Sequence, residues 1–146
     1  MIKSIPTEEC ELLLQQNYIG HLAYVYQHRP FVVPITYFYK DAKIICYSND
    51  GHKIKALRTN NAVALEVAEI GSVNNWQSAV AHGTYEELDG ITAKAMLHEF
   101  SLGVKDVVLK KEFDFIREFS VKIENGLIPI VFVIHVEEMT GKVRRE

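Results

Sequence analysis

Alternating apolar and polar positions dominate this chain, and they predict strands more often than helices. The first apolar cluster is the exception. Leu12, Leu13 and Leu14 follow Thr7-Glu8-Glu9, which predicts a helix with Thr7 as its cap, the two glutamates at its positive end and Pro6 just outside. Strands are predicted over Tyr18–Tyr26, with Gly20 as a bulge or close-approach point, then over Phe31–Tyr39 and Lys43–Tyr47. Gln27-His28-Arg29-Pro30 and Lys40-Asp41-Ala42 supply the turns between them. A helix is expected from Gly51 to Thr59, a strand over Ala62–Ala68, a polar loop over Glu69–Asn75, and a long strand over Trp76–Leu88. Helical spacing then returns over Ile91–Leu102 and again over Lys110–Ser120, where Phe113, Ile116 and Phe119 share a face. A last strand runs from Ile128 to Glu138, ending in Met139-Thr140-Gly141-Lys142 and a charged tail.

About six strands joined by short turns, with one helix after the third and a helical pair before the last, argue an antiparallel barrel or sandwich rather than a parallel sheet. A length of 146 residues suits one domain spanning residues 1–146 with one core. The hydrophobic share of 48% and charged share of 24% fit a soluble globular protein, and a net charge of -3 gives no global basic excess for a nucleic acid. The longest apolar run, Leu127 to Val136, contains Pro129 and His135 and is too short for a membrane helix. The N-terminus lacks a signal-peptide pattern, so the chain is read as cytoplasmic. In that compartment Cys10 and Cys46 are expected as two buried thiols, although Cys46 flanks a basic turn that would suit a reactive thiol.

Three segments carry candidate chemistry. In the first, the apolar strand ending Cys46-Tyr47 runs into Ser48-Asn49-Asp50-Gly51 and then into a basic helix start with His52, Lys53, Lys55 and Arg58. A hydroxyl, free backbone amides and cations at a helix N-terminus are what a phosphate needs, though a solvated basic helix face reads the same way. In the second, Pro34-Ile35-Thr36-Tyr37 interrupts a strand with a proline. The freed backbone groups can bond the rim of a planar heterocycle with Tyr37 or Tyr39 packed beside it, or the proline can simply guard an edge strand. In the third, Asn74-Asn75-Trp76-Gln77-Ser78 sets the single tryptophan among amides and a hydroxyl. That suits a pocket wall, a subunit contact or a core position. The histidines show no zinc-ligand spacing, and neither a nucleophile elbow nor a P-loop or dinucleotide fingerprint is present, so no metal site or triad is expected.

In their order, these segments resemble the flavin-binding split-barrel family that includes pyridoxamine 5'-phosphate oxidase, nearest to its small nitroimidazole-resistance branch. The resemblance rests on Ile19-Gly20-His21-Leu22-Ala23, Phe31–Tyr37, Tyr47–Lys53, Trp76–Thr84 and Glu138–Lys142, and spans roughly residues 7 to 143. It implies a mainly β chain folded as a six-stranded antiparallel split barrel that binds FMN across a homodimer interface. It also implies roles: Pro34, Ile35, Thr36 and Tyr37 at the isoalloxazine edge; Tyr47, Ser48, His52 and Lys53 at the phosphate; Trp76 and Ser78 lining the site from the partner subunit. The implied function is an FMN-dependent oxidoreductase acting on an unidentified small molecule. The alternative is a non-catalytic flavin or haem binding or storage module. Tyr47 stands where the nitroimidazole branch commonly has histidine, and His52 where the family usually has arginine; the first argues against nitroreduction. Arginine-rich substrate residues near the C-terminus are not apparent, which argues against pyridoxal phosphate synthesis.

Overall fold

The computed structural model describes residues 1–111 and 129–146, together with the backbone of no residue between them. The predicted helix at Lys110–Ser120 and the start of the predicted last strand lie largely outside the described residues. The elements are β1 (Ile2–Ser4), α1 (Thr7–Gln15), β2 (Ile19–Tyr26), β3 (Arg29–Thr36), β4 (Phe38–Lys40), β5 (Lys43–Ser48), α2 (His52–Thr59), β6 (Ala62–Ser72), β7 (Asn75–Leu88), α3 (Gly90–Lys111) and β8 (Ile130–Arg145).

All strand pairings are antiparallel, and the sheet order is β3-β2-β6-β7-β8-β5-β4, with β1 added beside β8. The two end strands, β3 and β4, are consecutive in the chain and separated by Tyr37 alone. A sheet whose two ends are tied by one residue must curl on itself, and the place where β3 and β4 part is the split of the barrel. The expected single strand Phe31–Tyr39 is therefore two. Tyr37 breaks it because its N–H donates to the Tyr18 carbonyl at 2.9 Å and its buried hydroxyl donates to the Leu14 carbonyl at 2.7 Å. Up to Thr36 the chain pairs with β2; from Phe38 it pairs with β5.

Alternation sends Leu22, Tyr24, Ile35, Ile44, Cys46, Val63, Leu65, Val67, Ala79, Ala81 and Ile134 into the barrel. Helix α1 adds Cys10, Leu13 and Leu14 to this core, and α2 adds Ile54, Ala56 and Leu57. A second apolar layer lies outside the sheet, where Phe100 and Val104 of α3 cover Ile45 and Val133. Close approach at Gly20 is real: a Cβ there would stand 2.9 Å from the Glu66 carbonyl oxygen, while β2–β3 pairing continues through it without a bulge.

Several expected boundaries move. Pro6, not Thr7, caps α1, and no side chain bonds the cap. Glu69–Ser72 belongs to β6 rather than to a loop, because Glu69 and Ile70 pair with Gln77 and Trp76. Helix α3 passes through Gly103 without ending, since a residue with no Cβ lets it lie against the Phe38 ring; an added Cβ would meet that ring at 2.3 Å. β8 continues past the expected end at Glu138 through Met139–Lys142, held by β7 on one side and, from Lys142, by β1 on the other. With β1 and β4 counted, the described residues form eight strands where six were expected, while the split-barrel class stands.

Candidate functional site

The polar turn lies where β5 leaves the barrel. Ile44, Cys46 and Ser48 point inward, while Ile45 and Tyr47 face α3. Tyr47 packs edge-on to Phe100, with ring centroids 5.2 Å apart. Ser48 is the buried polar side chain of this strand, and its hydroxyl donates to the Asn49 carbonyl at 2.9 Å. Gly51 is the cap of α2 with no side-chain cap bond, and the first turn holds no acidic residue. The first-turn N–H groups therefore have no intrahelical acceptor and point outward at the positive end of the helix.

The four basic side chains of α2 part company. Arg58 is already used: its Nε and Nη2 bond the two carboxylate oxygens of Glu87 at 2.8 and 2.9 Å, and Nη1 reaches Asp50 at 3.4 Å. That guanidinium holds the Glu87 carboxyl below its ordinary range. Burial, helped by a bond to Glu87, raises the Tyr85 phenol. Arg58 thus ties α2 to the end of β7 and is withdrawn from any anion. His52 lies among Tyr24, Tyr26 and Phe31, with centroids 5.8, 5.2 and 4.8 Å away, and its Nδ1 is 2.9 Å from the Tyr24 hydroxyl. Lys53 is half-buried and makes no hydrogen bond or ion pair among the described residues. It lies close enough to Cys46 to oppose, in part, the rise that burial imposes on that thiol. Cys10 and Cys46 are both buried free thiols with raised pKa, the setting of inert rather than reactive cysteines.

The proline segment sits on β3, an end strand, so one row of its backbone groups has no strand partner. Pro34 is exposed and opposite His21; Thr36 is half-buried and opposite Ile19; Ile35 points into the core opposite Gly20. Tyr37 differs from the expectation. Its side chain is fully buried and bonded to Leu14, and Tyr39 bonds Glu11, so both hydroxyls serve the fold. Only the backbone at Pro34–Thr36 remains to meet a ring.

Trp76 and Ser78 stand elsewhere, on the outer face of β7, opposite Ile70 and Ala68 of β6. Trp76 lines an open cleft of about 530 Å³ with Asn17, Glu69, Gln77 and Arg145, a set that shares no residue with the turn. Within it Glu69 accepts from Gln77 at 2.7 Å and from Asn17 at 3.2 Å. One chain thus brings the turn, α2 and the β2–β3 hairpin together and leaves Trp76 and Ser78 on another surface. The Tyr24–Tyr26–Phe31 cage around His52 is a neighbour of the turn that the residues alone did not single out. The period-2 alternation of Tyr24 and Tyr26 with Leu22 was the signal available for the cage.

The sequence profile described as pyridoxamine 5'-phosphate oxidase matches residues 6–143. The chain belongs to that family. A FAD-binding protein from Mesorhizobium loti is 31% identical, with a TM-score of 0.78 over 100% of this chain and 98% of its own. A candidate 5-nitroimidazole antibiotic resistance protein from Bacteroides thetaiotaomicron is 20% identical, with a TM-score of 0.68 over 98% of this chain and 89% of its own. A FAD and haem binding protein from Mycobacterium smegmatis is 16% identical, with a TM-score of 0.74 over 99% of this chain and 74% of its own. The last two bear on the fold alone. No helix among the described residues is long and apolar enough to cross a membrane.

Proposed function

We propose that this chain binds a flavin nucleotide, FMN in the reading its sequence supports, and works as a flavin-dependent oxidoreductase on a small molecule. One observation carries the proposal: an uncapped helix N-terminus, the buried Ser48 and the unpaired Lys53 meet at one turn. Ser48, Lys53 and the first-turn amides of α2 would hold the phosphate. The free edge of β3 at Pro34–Thr36 would meet the ring. The 31% identity to a FAD-binding protein supports a flavin as the ligand. Bound flavin would supply the redox chemistry, and the protein its binding, orientation and electrostatics.

A homodimer belongs to the same proposal. Among the described residues no helix covers the sheet's outer face over β2, β3, β6 and the start of β7, and Val32 and Ile70 stand 64% and 76% exposed on it. Trp76 and Ser78 lie on that face, so a second copy would carry them toward the first copy's flavin.

The absorption spectrum of the purified protein tests the ligand: a flavin spectrum is expected, a Soret band would replace flavin by haem, and a colourless protein that takes up no FMN would end the reading. Reduction by NAD(P)H and reoxidation by acceptors separate an oxidoreductase from a storage module. Lys53→Ala is expected to weaken FMN by roughly ten- to a hundredfold, the range of one charged hydrogen bond, and riboflavin much less. Equal losses for the two ligands would make the turn structural.

A further inference from the structure

We propose that Tyr24 is a positioning residue for the flavin phosphate: its hydroxyl donates to His52 Nδ1 and fixes the proton of the neutral imidazole on Nε2, which is then offered to the phosphate beside Ser48 and Lys53. The inference rests on the flavin reading above and adds to it how an uncharged ring can serve an anion.

Burial decides which partner donates. Tyr24 points from β2 into the barrel and is only 5% exposed. Its ring stacks on Phe31, its cross-strand partner, with centroids 5.5 Å apart and planes 11° from parallel. The hydroxyl lies 2.9 Å from His52 Nδ1 and has no other partner among the described residues. A phenol carries one proton, and a neutral imidazole carries one on either of its nitrogens. If Nδ1–H donated to Tyr24, the proton of a buried phenol would be left without an acceptor, which is costly. If Tyr24 donates, both groups are satisfied and the imidazole proton must sit on Nε2. Burial also raises the Tyr24 phenol, so it keeps the proton that it donates.

The cage holds the ring in this bond. Phe31 and Tyr26 flank the imidazole at 4.8 and 5.2 Å, and Tyr26 meets it edge-on at 85°. Nε2 is the remaining polar atom of the ring, and it has no partner among the described residues. His52 is the first residue of α2 and directly precedes Lys53. A hydrogen bond accepted at Nδ1 polarises the imidazole and makes Nε2–H a stronger donor. The hairpin that supplies Tyr24, Tyr26 and Phe31 also supplies the Pro34–Thr36 edge proposed to meet the ring of the flavin. One rigid element thus sets both the phosphate donor and the ring edge.

The experiment uses the full chain stripped of flavin. A long-range proton–nitrogen correlation spectrum, taken at a pH where the imidazole is neutral, is expected to show the His52 proton on Nε2 and Nδ1 as an acceptor. Tyr24→Phe is expected to move the Nδ1 signal toward that of an unbonded ring nitrogen. A proton on Nδ1 in the parent chain, or an Nδ1 signal that Tyr24→Phe does not move, overturns the proposal. Calorimetric titration with FMN and riboflavin reads the consequence. Tyr24→Phe keeps the stacked ring and is expected to weaken FMN about three- to tenfold, the range of one neutral hydrogen bond, and riboflavin not at all. In a His52→Ala background the same substitution is expected to cost nothing further. Unchanged FMN binding, or equal losses of FMN and riboflavin, overturns the positioning role and leaves the flavin reading intact. A loss that persists without His52 overturns it too, because the hydroxyl would then act by another route. A parent chain that takes up no flavin removes both proposals together.

Discussion

The outer face of the sheet has two halves, and they are built differently. Under α3 it presents large side chains, Ile45 and Tyr47 from β5, Val133 from β8, Leu88 from β7 and Phe38 from β4, which pack against Phe100, Val104, Met96 and Leu97. Over β2, β6 and the first part of β7 it presents Ala23, Ala64, Ala68, Ser78 and Val80 around the His21–Glu66 ion pair, bordered by Val32, Pro34, Ile70 and Trp76. Strand β7 crosses both halves, from Trp76 at one end to Leu88 at the other. Large residues interdigitate with a helix of the same chain; small ones make a flat surface to which another sheet can come close. The contrast separates a half packed against a helix of the same chain from a half of small, mixed side chains, the half on which the proposed homodimer rests.

The sharpest way to break the comparison is to empty the finished half. Phe100 is fully buried, so Phe100→Ala is expected to cost about 3–5 kcal/mol, read as a lower urea midpoint. A cost below about 1 kcal/mol would mean that α3 contributes little to holding the sheet. The same truncation in the open half should act on a different observable. Trp76 is only partly buried in one chain, so Trp76→Ala is expected to change the urea midpoint little. It should weaken self-association by roughly thirtyfold, about 2 kcal/mol, as loss of an aromatic anchor does, and flavin retention with it. Sedimentation across a concentration series measures this, and a monomer at every concentration for the parent chain would refute the assignment of that face.

These halves were unequally legible in the sequence. The strands of the barrel could be read from their β-branched and aromatic runs bounded by turn residues, with larger apolar side chains alternating inward along β2 and β6. The open half could not be told from a covered one, since small apolar residues fit either. Tyr37 hid the break between β3 and β4: apart from Pro34, Phe31–Tyr39 is aromatic and β-branched, and only contacts with Tyr18 and Leu14 show where pairing changes. The extension of β8 through Met139–Lys142 was equally hidden, because Thr-Gly-Lys is a turn signal locally and a strand only beside β7 and β1. At the turn, a local signal pointed to Ser48, His52 and Lys53. Arg58 was misjudged because its partner Glu87 is 29 residues away, and the cage around His52 comes from a hairpin that closes far from the turn in sequence.

The smallest effect distinguishes the hairpins that feed the two halves. Both have two-residue loops with left-handed backbone and no glycine: Gln27 and His28 at φ 51° and 63°, Asp41 and Ala42 at φ 52° and 60°. Such turns favour Asn-Gly or Asp-Gly. Alanine bears the full Cβ penalty there, whereas histidine is among the side chains that tolerate this region. Ala42→Gly is therefore expected to stabilise the chain by about 1 kcal/mol after the entropy cost of glycine in the unfolded state, a rise of roughly 2–4 °C in Tm. The Ala42 carbonyl, which accepts from the Val136 N–H at 2.9 Å, is untouched by the change. His28→Gly should gain at most half as much. Equal gains would mean that Cβ strain at Ala42 is no greater than at His28, and that the β4–β5 hairpin is as relaxed as the β2–β3 hairpin beside the proposed phosphate site.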